Sequence, residues 1–202
     1  MVFNNNVYFY KMFNLAIFIS GKGTNAKNII EYFQLSKDIQ IKIIVSNNSC
    51  PSLLEPYSSK ISFKQLTKQE ILRGETLLNT LNSFKISYIV LAGFLIKIPN
   101  SIINIFPKKI INIHPSLLPD FGGKGMYGIN VHKAVYFAQK NETGITIHLV
   151  NSEYDDGKII FQAKCTIFNN DKPKDIQKKV QKLEYKFYPI IIEKYIFSKN
   201  DN

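Results

Sequence analysis

Asn112 and His114 stand two residues apart in the run Ile110-Ile111-Asn112-Ile113-His114, which Pro115-Ser116-Leu117-Leu118-Pro119 follows at once. The apolar stretch predicts a buried strand ending at Pro115, because proline has no N–H to give to a ladder. Side chains alternate between the two faces of a strand, so Asn112 and His114 point one way and Ile111 and Ile113 the other. An amide donor and an imidazole therefore meet where a strand opens into a loop. Such a pair suits the handling of a developing oxyanion. A lone histidine near a strand end is more often a satisfied structural residue. Two features favour chemistry here. The pair lies at the carboxyl end of an α/β strand, where such folds place ligands. A candidate orienting carboxylate, Asp155, follows in the acidic turn Asn151-Ser152-Glu153-Tyr154-Asp155-Asp156-Gly157.

Two further loops carry possible binding chemistry. Ser20-Gly21-Lys22-Gly23-Thr24-Asn25 lies between a predicted strand and a predicted helix, an arrangement that offers free backbone N–H groups and a positive dipole end to an anion. The segment is neither a Walker A loop nor a full dinucleotide fingerprint, so a small phosphate monoester and an ordinary tight turn remain equal readings of it. Leu91-Ala92-Gly93-Phe94-Leu95-Ile96-Lys97-Ile98 is an apolar loop after a strand. It can wall a flat heterocycle, or simply pack a helix.

The elements that must position these loops alternate along the chain. Strands are predicted at Leu15–Ser20, Ile39–Ser46, Ile61–Lys64, Ile86–Ala92 and Lys109–Ile113, and later at Gly144–Val150 and Lys158–Ile167, the last two partly antiparallel. Helices are predicted at Asn25–Gln34, from the capping box Thr67-Lys68-Gln69-Glu70 to Leu81, briefly after Pro99, and over Met126–Gln139. A final helix begins near Pro173, its apolar stripe running through Ile176, Val180, Leu183, Phe187 and Ile191, with a kink expected at Pro189. His132 is expected on the surface or in packing, and His148 as a buried structural histidine, with support of the site from behind as its other reading.

At 202 residues the chain suits one α/β domain. Its net charge of +11 invites a nucleic-acid partner. The composition argues otherwise: 25 Lys and one Arg accompany 31 Ile and 20 Asn, a set that A/T-rich codons explain, and Arg is the residue that reads bases bidentately. Cys50 and Cys165 show neither metal spacing nor a disulfide framework, which fits a reducing cytoplasm. Residues 13–19 could serve as the apolar core of a signal peptide, but cleavage there would damage the glycine loop, so export is rejected. Residues 1–11 are expected to be a disordered or non-native extension, with the domain over 12–202.

The four motifs Ser20-Gly21-Lys22-Gly23-Thr24-Asn25, Leu91-Ala92-Gly93-Phe94, Asn112-Ile113-His114-Pro115-Ser116-Leu117-Leu118-Pro119 and Tyr154-Asp155-Asp156-Gly157 resemble, in this order, those of the phosphoribosylglycinamide formyltransferases. The resemblance covers about residues 13–197. It implies a single-domain, Rossmann-like three-layer α/β fold with a mostly parallel sheet and helices on both faces. It implies formyl transfer from 10-formyltetrahydrofolate, as co-substrate, to the amine of the ribotide, with Asn112, His114 and Asp155 as the catalytic trio and no metal. Asp155 would push His114 above its reference pKa of about 6.5. Gly23, Thr24 and Asn25 would hold the 5′-phosphate, and Gln181 and Glu184 the ribose hydroxyls or glycinamide. Phe94, Leu95, Ile96, Lys97 and Ile98, with Tyr154 and Asp155, would frame the pterin. Partners would be small molecules, with neither nucleic acid nor membrane, for a cytoplasmic monomer or homodimer.

The sequence also departs from the pattern. Asp156 stands where some members have glycine, Ile96-Lys97 where some have Arg-Ile, and Gly122–Gly128 matches only a subset of the family. The nearest alternative is a methionyl-tRNA formyltransferase-like catalytic domain, which lacks the S-G-x-G-T-N loop and carries a second, tRNA-binding domain. A deformylase would need an additional N-terminal domain. A non-catalytic folate- or nucleotide-binding module is the alternative of another class.

Overall fold

The computed structural model describes residues 12–199, so the expectation for residues 1–11 lies outside the described residues. A seven-stranded sheet in the order β3-β2-β1-β4-β5-β6-β7 runs through the molecule. β1 (Phe13–Ile19), β2 (Ile39–Ser46), β3 (Ser62–Gln65), β4 (Tyr88–Leu91) and β5 (Ile110–His114) are mutually parallel, and β6 (Glu142–Leu149) and β7 (Ile159–Thr166) close one side antiparallel. The central strands read as continuous apolar runs because helices cover both of their faces. β1 shows the division. Leu15, Ile17 and Ile19 pack with Ala26, Ile29 and Phe33 of α1 (Thr24–Phe33) and with Ile176, Val180, Tyr188 and Ile192 of α6 (Pro173–Ser198). Ala16 and Phe18 face the other core, which holds Ile71 of α2 (Lys68–Arg73), Leu77 and Leu81 of α3 (Glu75–Ser83) and Ile102 of α4 (Asn100–Ile105). α5 (Ile129–Phe137) packs on α6. The expected class, a mostly parallel three-layer α/β domain, is the one observed.

Local differences have local causes. The capping box forms as read, with Thr67 N–H donating to Glu70 Oε2 at 2.7 Å and Glu70 N–H to Thr67 Oγ1 at 3.2 Å. The predicted single helix to Leu81 is nevertheless two helices, because Gly74 adopts φ 82° and both ends α2 and starts α3. The predicted helix over Met126–Gln139 shrinks to α5 because Gly125 and Gly128 take φ 88° and 54°, outside helical space. α6 runs on through Pro189, which is buried, to Ser198.

Candidate active site

β1 and β4 lie side by side, and the chain leaves their carboxyl ends toward opposite sides of the sheet, which opens a crevice there. Ser20 ties the two outgoing loops together. Its N–H donates to the Gly93 carbonyl at 3.0 Å, and its Oγ accepts from Leu95 N–H at 2.9 Å while donating to Asn47 Oδ1 at 2.6 Å. A cleft of about 620 Å³ opens above them, within the size range of small-molecule sites.

Ten of the sequence-predicted site residues line this one cleft: Thr24, Asn25, Phe94, Leu95, Asn112, His114, Tyr154, Asp155, Gln181 and Glu184. Ile96, Lys97 and Ile98 do not. They line an adjoining cavity of about 80 Å³, which Phe94, Leu95, Asn112, His148, Tyr154 and Asp155 share, and Lys97 Nζ lies 5.3 Å above the Tyr154 ring. Gly23 is buried behind the cleft. With φ 75° it caps α1, and a Cβ there would stand 2.7 Å from Leu54 Cδ1. No side chain caps α1. The open helix end at Thr24 and Asn25 is thus available to an anion, with Lys22 also on the cleft.

Asn112 and His114 leave the same face of β5, and Asp155 comes to them from the turn after β6, at φ 55°. His114 Nδ1 lies 3.4 Å from Asp155 Oδ2, and His114 Nε2 lies 2.8 Å from the Phe121 carbonyl. A carbonyl only accepts, so Nε2 carries a hydrogen and donates it. Gly123 N–H donates to Asp155 Oδ2 at 2.9 Å. His148, expected to be structural, belongs to this network. Its Nδ1 donates to the Leu149 carbonyl at 2.8 Å, and its Nε2 lies 3.0 Å from Asn112 Nδ2, from which it accepts when that ring nitrogen carries no hydrogen. The same Nε2 lies 3.7 Å from Asp155 Oδ1. The antiparallel register that pairs Asn112 with His148 makes this contact. Asn112 Nδ2 keeps a second hydrogen for a ligand.

Burial draws His114 below its ordinary pKa, against the upward pull of Asp155 and of the Phe121 carbonyl. Asp155 does pull upward as expected, but the expected net rise above about 6.5 is corrected: the ring is 3% exposed, and the cost of charging it there exceeds what the carboxylate returns. For Asp155, burial pushes upward. The contacts with His148, with His114 and with the Gly123 N–H outweigh it and hold the carboxyl below the usual range. Burial raises Glu184, which accepts from Asn25 Nδ2 at 2.9 Å, and Asn25 Oδ1 is buried without a hydrogen-bond partner.

Of the two readings of His132, packing is the one observed, and the residue also faces the cleft. It is buried, lines the cleft, and its Nδ1 has no hydrogen-bond partner. Burial lowers its pKa to about 4. The unfolded chain then binds a proton that the folded one refuses, so stability falls as pH drops from about 6.5 toward 4. For this residue the loss is about 3 kcal/mol at most. Urea unfolding at pH 7 and pH 4.5 is expected to show a smaller acid loss in His132→Leu than in the unsubstituted chain; equal losses would refute the assignment.

The comparisons with known proteins agree with this fold. The formyl transferase family model matches residues 13–192. The chain is 37% identical over 191 residues to the chloroplastic phosphoribosylglycinamide formyltransferase of Arabidopsis thaliana, covering 88% of this chain but only 63% of that relative's length. It is 33% identical over 189 residues to the phosphoribosylglycinamide formyltransferase of Haemophilus influenzae, covering 90% and 86% of the two chains. The crystal structure of the phosphoribosylglycinamide formyltransferase from Anaplasma phagocytophilum superposes with a TM-score of 0.81 at 29% identity, covering 90% of this chain and 85% of that one. By the extent of the match and the shared fold, this chain belongs to the formyl transferase family.

Proposed function

We propose that the chain transfers the formyl group of 10-formyltetrahydrofolate to the primary amine of 5′-phosphoribosylglycinamide, a step of de novo purine synthesis in the cytoplasm. One observation carries this reading: Asn112, His114 and Asp155 converge in the same cleft as the open N-terminus of α1. The ribotide's phosphate would sit on the first-turn N–H groups at Thr24 and Asn25. Glu184, with Gln181, offers acceptors for its hydroxyls, and the unpartnered Asn25 Oδ1 asks for such a donor. The folate ring would occupy the adjoining apolar cavity between Phe94–Ile98 and Tyr154.

The amine attacks the formyl carbon, a C–N bond forms and the carbonyl oxygen becomes an oxyanion. The free hydrogen of Asn112 Nδ2 and the Nε2–H of His114 would stabilise it, each by a few kcal/mol. His114 must exchange its bond to Phe121 for one to the oxyanion. Asp155, held ionised, takes the amine proton through a water and passes it to the leaving N10 as that C–N bond breaks.

His148 acts through Asn112, by fixing the amide. His148→Leu is expected to lower kcat about tenfold while both KM values stay within about twofold. A large rise in KM with kcat unchanged would contradict that role. The function itself is tested by offering 10-formyltetrahydrofolate with the ribotide, with methionyl-tRNA, or with water alone. Rapid turnover with the ribotide only is expected. Formylated tRNA, formate release without acceptor, or binding without turnover would each replace the proposal with another.

A further inference from the structure

A second helix also opens onto the cleft. α5 is nine residues long, begins after Gly128 at φ 54°, and has no side-chain cap. Gly128 and Lys124 line the cleft from this side, in a loop whose Gly123 and Gly125 take φ 93° and 88° with open space around them. His132 is the fourth residue of α5, and helical side chains lean toward the helix N-terminus. It is 2% exposed, lines the same cleft, and leaves Nδ1 without a partner. A buried polar atom without a partner costs free energy, and one that lines a ligand cleft is satisfied when the ligand arrives. Three independent features of one wall thus call for the same kind of group: a helix N-terminus and an ammonium for negative charge, and an imidazole for a hydrogen bond.

We propose that the N-terminus of α5, Lys124 and His132 form a second anion-binding wall that takes the phosphate monoester of the ribotide together with α1. This inference rests on the proposed ribotide substrate. Two open helix ends and the two lysines on the cleft, Lys22 and Lys124, match the double charge of a phosphate monoester. His132 remains neutral near pH 7 and so contributes a hydrogen bond rather than charge.

Calorimetric titration of the full chain with phosphoribosylglycinamide and with its 5′-dephosphorylated riboside tests this. Lys124→Met is expected to weaken ribotide binding about 10- to 100-fold and to leave the riboside within about twofold. His132→Leu is expected to weaken the ribotide about tenfold. His132→Asn, which sets an amide atom near the place of Nδ1, should restore most of the loss, a rescue that a purely packing role would not give. Ribotide binding unchanged in both Lys124→Met and His132→Leu would overturn the second wall and leave the proposed function standing. An unsubstituted chain that binds no ribotide would overturn the function and, with it, this inference.

Discussion

Asp155→Asn is expected to lower formyl transfer about 10²- to 10⁴-fold while the fold and ribotide affinity survive. The substitution keeps an oxygen that can accept from Gly123 N–H, so the turn retains its anchor. It removes the charge that faces His114 Nδ1 at 3.4 Å and the base that would carry the amine proton to the leaving nitrogen. Steady-state rates with both substrates, alongside circular dichroism and thermal unfolding, measure the effect. Asp155 itself should stay ionised until below the ordinary carboxylate range, because it is held down there by its contacts with His148, His114 and the Gly123 N–H. A variant that turns over within a few-fold of the parent would remove Asp155 from the chemistry.

Gly157→Ala is expected to have a comparably large effect by another route. A Cβ at Gly157 would lie 1.7 Å from the Leu149 carbonyl oxygen and 2.8 Å from its carbon, and neither atom can yield because Leu149 ends β6 in a paired register. The turn that carries Asp155 must move instead. A stability loss of about 3 kcal/mol and a fall in rate of more than about 100-fold are expected, read by urea unfolding and by the same assay. Gly21→Ala is the comparison: nothing lies within 4 Å of a Cβ there, so its stability should stay within about 0.5 kcal/mol. Similar stability losses in the two variants would contradict the packing argument.

Much of the architecture is legible in the sequence because parallel, doubly covered strands such as Tyr88–Leu91 leave unbroken apolar runs. The pair Asn112 and His114 is legible for the same reason, since period-two alternation fixes their common face. The sequence is silent where partners are set by long-range register. His148 meets Asn112 only because β6 runs antiparallel to β5, and periodicity along one strand says nothing of its neighbour's register. The depth of His132 and the downward shift of His114 depend on how much water the folded chain excludes, which residue type alone does not disclose. Gly74 and Gly128 break helices because of their φ values, whereas the surrounding apolar spacing suggests continuity. Spacing carries no ligand's identity, so the proposed anion, heterocycle and transferred group rest on the resemblance of the four motifs.

The most direct test follows the transferred carbon itself. 10-Formyltetrahydrofolate labelled with ¹³C in the formyl group, mixed with the ribotide and the enzyme, is followed by ¹³C NMR. The expected result is that the label moves into the formamide of the ribotide with the unsubstituted chain, and stays on the folate with an Asn112→Ala/His114→Ala double variant that still binds the ribotide. Label appearing as free formate, or reaching the ribotide equally fast in the double variant, would contradict the proposed formyl-transfer centre.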